Sequence, residues 1–289
     1  MEAARQVEDL NNIIYDRFLQ DLEDDLLELP SLPEVATRIG RALKEETTDA
    51  RVIASIVQTD PAMAAKLIKA ANSAMYGRCT PVEDCAAAVV RLGTHITHKL
   101  VLSFCLRELF RSNSRELQQR MEQLWRHSTR VAAICYVLAL HDSRFEPEQA
   151  MLIGLLHDIG VVSLLSYAEG FPMEARSPRF LDDLVACLRA QTSSTILSRW
   201  RFSPDFVTAA LEGEEWMRDT GGDADYCDLV IVAQLHSFVG TEKALHLPTL
   251  DQTPAYEHLH LGELSPSFSL RILDEAQEKV AQAEALLNI

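Results

Sequence analysis

The stretch Gly154-Leu155-Leu156-His157-Asp158-Ile159-Gly160 sets an adjacent His and Asp at the end of an almost wholly apolar run, with a glycine just beyond. Burying polar side chains costs free energy unless they find partners, so this doublet must be answered by hydrogen bonds, by opposite charge or by a cation. An aspartate can bridge two cations while a neighbouring histidine ligates one, and a metal-bound water then loses a proton to become a nucleophile. The doublet alone is insufficient, because a competent site takes about four to six N and O ligands, so the others must come from other helices. The alternative is that His157 and Asp158 bond to each other and to nearby backbone, tying off a helix that Gly160 closes.

Working outward, the pattern is helical in both directions. Upstream, Leu124, His127, Val131, Ile134 and Leu138 fall on one face of a helix in a segment that begins near Glu116, so His127 lies within an apolar stripe. A histidine in such a stripe is ordinarily a satisfied core residue. His157-Asp158 follows thirty residues later on a second buried helix, which raises a metal reading for all three. Nearer the start, Asp60-Pro61 reads as the cap of a helix that buries Ala64, Leu67, Ile68 and Ala71 and stops near Gly77. Ser31-Leu32-Pro33-Glu34 and Thr80-Pro81-Val82-Glu83 read as capping boxes, and a Leu- and Val-rich helix is expected from about Thr94 to Arg111. Asn72, Ser73 and Tyr76 are expected to cap a helix end or satisfy loop backbone. His95 and His98 sit at a helix start with no carboxylates beside them to build a metal site.

Residues 1 to 27 carry an apolar stripe (Leu10, Ile13, Ile14, Phe18, Leu22 and Leu26) that must pack on this domain or on a partner. Downstream, Ser203-Pro204-Asp205 opens a helix, Thr220-Gly221-Gly222 is a turn, and residues 246 to 266 read as a loop whose His246, His258 and His260 are exposed and unpaired. From Ser267 to Ile289 an amphipathic helix is expected, with Leu270, Ile272, Leu273, Ala276, Val280, Ala283 and Leu287 inward. No alternating strand pattern appears, and the fold class is all-α.

Composition narrows the function. At 289 residues, 47% apolar, with 11 Gly and 11 Pro, the chain has enough length and apolar content for a globular, helix-rich fold. Its formal net charge of -16 argues against binding nucleic acid or an anionic membrane, since both rest on Lys and Arg, and no basic recognition helix stands out. The six cysteines (Cys79, Cys85, Cys105, Cys135, Cys187 and Cys227) are scattered without a C-x-x-C pair and read as free buried thiols in a reducing compartment. No basic-then-apolar leader opens the chain and no apolar run reaches span length, so a cytoplasmic location is expected.

Taken together, Leu29-Pro30-Ser31-Leu32-Pro33, Asp60-Pro61-Ala62-Met63-Ala64, Ala71-Asn72-Ser73-Ala74-Met75-Tyr76-Gly77, Arg91-Leu92-Gly93, Trp125-Arg126-His127-Ser128 and the doublet stretch resemble, in order and spacing, the signature of the HDOD domain over roughly residues 20 to 285. That resemblance implies a two-lobed all-helical protein: residues 1–27 an amphipathic helix or linker, 28–115 an N-terminal helical lobe, and 116–289 a C-terminal lobe similar to the HD phosphohydrolase superfamily, which includes the HD-GYP phosphodiesterases. HDOD domains resemble those enzymes but usually lack their full ligand set, and serve as output or regulatory modules of bacterial signalling proteins, often joined to receiver, GAF or EAL domains.

Carried over residue by residue, the resemblance places His127 at the first histidine ligand and His157 with Asp158 at the doublet. The next histidine is expected within Ala190-Gln191-Thr192-Ser193-Ser194, which has none. The paired histidines expected after Phe206-Val207-Thr208-Ala209-Ala210-Leu211 are replaced by Glu212, Gly213 and Glu214, and the final aspartate by Gln234. Glu212, Glu214 or His236 are the available substitutes, since carboxylate and imidazole both bind divalent metals. The expectation is therefore a non-enzymatic signalling module. Its remnant site, His127, His157 and Asp158, holds no resident cofactor beyond an adventitious divalent ion, and the three residues form a hydrogen-bonded triad. The implied partners are signalling proteins, an upstream receiver or sensor domain, or a second copy as a homodimer, with no nucleic acid and no membrane. A divalent-metal phosphodiesterase acting on a cyclic dinucleotide or nucleotide is the alternative.

Overall fold

Asp49, Asp60 and Asp84 each turn a carboxylate back onto the first free amides of a helix, with bonds of 2.8 to 3.1 Å to Arg51 and Val52, to Ala62 and Met63, and to Ala87 respectively. These caps satisfy amides that have no partner within the helix and so fix where each helix begins. The computed structural model describes residues 17, 18, 20, 21, 24, 30–45, 48–77, 80–170, 177–259 and 277–289, and every regular element among them is helical.

The helices are α1 (Glu34–Ala42), α2 (Ala50–Val57), α3 (Pro61–Ala71), α4 (Cys85–Leu92), α5 (Thr94–Leu106), α6 (Arg115–Leu140), α7 (Pro147–Leu156), α8 (Ile159–Glu169), α9 (Pro178–Arg199), α10 (Pro204–Glu212), α11 (Tyr226–Phe238), α12 (Pro254–His258) and α13 (Gln277–Leu287). Helices α1 to α5 pack on one another, and α5 also meets α7. The long α6 lies along α7, α11 and α13, while α8 packs on α9, α9 on α10, and α10 on α11. Buried apolar residues from Phe18 to Leu287 form one contiguous cluster.

Several boundaries differ from the sequence expectation. Pro33 itself is the cap of α1, with no side-chain bond, so Ser31 caps nothing. Asp84, not Thr80, caps α4, because Asn72 holds the preceding loop through Val82: its Oδ1 accepts from the Val82 amide at 2.9 Å and its Nδ2 donates to the Val82 carbonyl at 2.8 Å. Helix α3 ends at Ala71, short of Gly77, and buries Met63, Leu67, Ala70 and Ala71. Tyr76 reaches across to α7, its hydroxyl donating to Glu148 at 3.4 Å. Residues 246–259 contain a 3-10 turn and α12 where a loop was expected. Of the expected N-terminal stripe, Phe18 is fully buried edge-on against Tyr167; Leu10, Ile13, Ile14, Leu22 and Leu26 lie outside the described residues. So do Cys79, His260, Leu270, Ile272, Leu273 and Ala276, whereas Val280, Ala283 and Leu287 are buried as expected. The five described cysteines are free, and Cys187 is exposed rather than buried.

The sequence reading that no apolar run reaches span length is corrected. Pro147–Glu169 is long and apolar enough, but 89% of its most apolar window is buried inside the protein. It is also broken: α7 ends with His157 as its C-cap and α8 begins with Asp158 as its N-cap. Gly160 therefore does not close a helix. It lies in the first turn of α8, where a Cβ would stand 2.4 Å from the Ser193 amide nitrogen on α9. Gly154 does the same for α7, where a Cβ would come within 2.8 Å of Ala132 Cα on α6. These two bare positions let α7 and α8 seat the doublet between α6 and α9. Gly160→Ala must push α8 and α9 apart, and is expected to cost about 1–3 kcal/mol of stability, measured by urea unfolding; a variant as stable as the wild type would contradict this packing.

Candidate functional site

The turn at the doublet determines what each side chain meets. The buried His157 Nδ1 lies 2.7 Å from the Gly154 carbonyl, to which only a protonated nitrogen can bond, so Nδ1 donates. Its Nε2 has no hydrogen-bond partner, lying 3.3 Å from Asp158 Oδ2 without hydrogen-bond alignment. Asp158 makes no capping bond to α8, so its carboxylate is free for tertiary contacts.

That carboxylate is claimed by an arginine. Arg189, a buried residue of α9, donates from Nη1 to Asp158 Oδ1 at 2.7 Å and from Nη2 pairs with Glu214 Oε2 at 3.0 Å. Lys243 approaches the other Glu214 oxygen at 3.5 Å and sits 4.1 Å above the Phe238 ring. Phe238 stacks on His127 at 5.2 Å, and His127 meets His157 edge-on at 5.3 Å. The contacts close a ring: His157, Asp158, Arg189, Glu214, Lys243, Phe238, His127. A cavity of about 630 Å³ opens on this ring beside Leu124, Val161 and Val185.

Charge within the ring is balanced. Burial works to raise the Asp158 pKa, but His157 and Arg189 outweigh it and hold the carboxyl well below its usual range. Burial, then His157, lowers the His127 pKa to about 4, so His127 is neutral near pH 7. A neutral ring whose Nε2 is 3.8 Å from Asp158 Oδ2 makes neither an ion pair nor a hydrogen bond. The expected hydrogen-bonded triad is thus corrected at His127, which is held by ring packing, while Arg189 takes the partnership with Asp158.

His127, His157 and Asp158 nonetheless converge, with one ligand atom from each lying within 4.8 Å of the others, and no other such group of His, Cys, Asp or Glu occurs among the described residues. The substitutes named from sequence are engaged elsewhere. Glu212 pairs with Arg218 at 2.6 Å, Glu214 is held by Arg189 and Lys243, and His236 is buried within reach of the Arg130 charge. Gln234 donates its amide to the Gly213 carbonyl at 2.7 Å. The residues do not fit a resident divalent ion: a dication within roughly 5 Å of the guanidinium would be repelled by on the order of 6 kcal/mol at an effective dielectric near 20. In the expected loop, His258 is not an unpaired surface residue, since Asp228 and Asp219 each flank it at 3.3 Å.

Sequence reasoning missed Arg189, Lys243 and Phe238. A signal for Arg189 was present, because it falls on the buried face of α9 with Thr192, Ser193 and Ile196, and a charge on such a face demands a counter-charge.

The model of the HDOD domain matches residues 29–215. The chain belongs to the HDOD family. That match is narrower than the 20–285 expected from motifs, yet the fold likeness extends across the chain. A solved structure of a candidate metal-dependent phosphohydrolase from Shewanella amazonensis SB2B is 25% identical with a TM-score of 0.80, covering 96% of this HDOD protein and 99% of that chain. An HDOD domain protein of unknown function from Geobacter sulfurreducens superposes with a TM-score of 0.68 at 18% identity, covering 96% of each chain. A candidate signal transduction protein from Marinobacter aquaeolei VT8 has a TM-score of 0.64 at 18% identity, over 96% of this chain and 66% of its own. An uncharacterized protein of Treponema pallidum (strain Nichols) is 26% identical over 188 residues, and this chain spans 36% of that relative's length. The fold is HD-like and helical, and the family fits a regulatory module.

The buried His236 gives this region a pH dependence. Burial, then Arg130, lowers its pKa to about 4, against about 6.5 for an unfolded histidine. Between those values the unfolded chain binds more protons, so the stability from neutral His236 is full above about pH 6.5 and is lost as the pH falls toward 4. Urea unfolding should show the wild type losing on the order of 2 kcal/mol more than His236→Phe between pH 7 and pH 5; parallel losses would contradict it.

Proposed function

We propose that this HDOD protein is a regulatory module that acts by binding a signalling protein or a small ligand and does not hydrolyse phosphoesters. The observation that carries the reading is the donor set: His127, His157 and Asp158 converge, and no further described His, Cys, Asp or Glu joins them. Three donors are too few for a two-ion site, and a single ion, which three donors and a water could hold, is repelled by the Arg189 guanidinium beside Asp158. A two-ion mechanism, moreover, needs Asp158 to bridge, and its Oδ1 is bonded to Arg189.

In this reading His127, His157 and Asp158 are a remnant of a metal site that now organises helix packing, and the cavity beside them is free to take a ligand. A net charge of -16 favours partners other than nucleic acid or an anionic membrane surface. The partners proposed are signalling proteins in the cytoplasm, among them an upstream receiver or sensor domain, and a second copy of the chain.

The likeness to a candidate metal-dependent phosphohydrolase makes hydrolysis the reading to test against. Protein purified without chelators is expected to carry no stoichiometric metal and to turn over neither a cyclic dinucleotide nor an aryl phosphodiester with Mn2+ or Mg2+. His157→Ala is expected to lower the Tm and to leave the absence of turnover unchanged. Turnover by the wild type that His157→Ala abolishes would overturn the proposal.

A further inference from the structure

We infer that Arg189 is a tethered cation that takes the place of a divalent ion, and that removing its charge uncovers a metal site in this chain. The inference rests on the non-hydrolytic reading above and goes further by naming the residue that keeps the ion out.

Three observations carry it. The first is position: the guanidinium bonds Asp158 Oδ1 at 2.7 Å and pairs with Glu214 at 3.0 Å, so one buried cation answers two carboxylates. The second is an orphaned ligand atom. His157 Nε2 is buried without a hydrogen-bond partner, and its Nδ1 proton is committed to the Gly154 carbonyl, which orients Nε2 toward Asp158 Oδ2 at 3.3 Å. A histidine ligand is ordinarily oriented through its other ring nitrogen in this way. The third is access, because the cavity is lined by Asp158, His127 and Arg189, so an ion arriving from solvent comes up beside two of the three ligand residues, with the buried His157 behind them.

Two imidazoles and a carboxylate with open positions suit Zn2+, Fe2+, Co2+ or Mn2+. The site has ligand atoms enough for a single ion; what it lacks is freedom from a fixed positive charge. Arg189 meets the charge requirement of Asp158 permanently, whatever the metal concentration, which makes the site independent of metal supply. Loss of the guanidinium would leave Asp158 without its cation and Glu214 with Lys243 alone, and a divalent ion would neutralise the buried Asp158 carboxylate.

The test is Co2+ binding followed by visible absorption and by the Tm, on the full chain as wild type, Arg189→Ala, Arg189→Gln and the double variant Arg189→Gln with Asp158→Asn. Arg189→Gln keeps most of the side-chain volume and a polar end while removing the charge. The expected result is that both single variants bind one Co2+ on the order of 100-fold or more tightly than the wild type, gain d–d bands and a raised Tm, and lose all three when Asp158→Asn is added. Variants that stay unfolded with and without Co2+, or fold but gain no affinity, overturn the inference and leave the non-hydrolytic reading standing. Wild-type protein that binds Co2+ as tightly as the variants overturns the inference, and if that protein also turns over a phosphodiester both fall together.

Discussion

A carboxylate that leaves water must be answered by hydrogen bonds or by opposite charge, and in this protein Asp158 meets both in the side chain of Arg189 at 2.7 Å. The pairing sets the arrangement around it. It joins the α7–α8 turn to α9, and through the second arm of the guanidinium it reaches Glu214 beyond the end of α10. A buried pair of this kind adds little net stability over an apolar packing of equal volume, yet loss of one partner is expensive because the other is left charged and dry. Its physical effect is on geometry: the guanidinium bridges two carboxylates and so ties three helical segments together at one point.

The same contact connects fold to chemistry. In this chain an apolar helical run breaks at a His-Asp doublet, and the break needs close helix contacts that Gly154 and Gly160 allow. On that scaffold the charge facing Asp158 decides the outcome. Mobile dications bring bound water with them and can activate it, whereas a guanidinium has only N–H donors, no coordination sites, and a charge that does not leave. In the proposed reading, one stands in for the other, which keeps a positive charge beside Asp158 and brings no metal-bound water. His127 illustrates the consequence, since it is retained at a ligand position yet neutral, stacked on Phe238 and 3.8 Å from Asp158.

Much of this was legible in the residues. The helical periodicity, the Asp60-Pro61 cap and the His127/His157/Asp158 trio could be read from spacing because each rests on local grammar: helical period, capping preference, a polar doublet in an apolar run. Capping at Ser31 and Thr80 was misread because a Ser or Thr with Glu three residues on, and a Pro between, competes with nearby alternatives: Pro33 is the cap at the first site, and at the second Asn72 holds Val82 so that Asp84 becomes the cap. The partner of Arg189 was not legible, for a different reason. Arg189 reaches Asp158 from 31 positions away, and Glu214 lies a further helix along. Nothing local in Cys187-Leu188-Arg189-Ala190 states its partner; only its place on the buried face of α9 signals that one must exist. Glu214, read as a substitute ligand, proved to be the arginine's second acceptor for the same non-local reason.

The central claim, that a guanidinium and not a metal answers Asp158, is tested most directly by a crystal structure of the wild-type protein soaked in Mn2+, with data collected for anomalous scattering. The account predicts Arg189 within hydrogen-bond distance of Asp158 and no anomalous peak among His127, His157 and Asp158. A well-occupied peak there, with Arg189 swung away from the carboxylate, would contradict it.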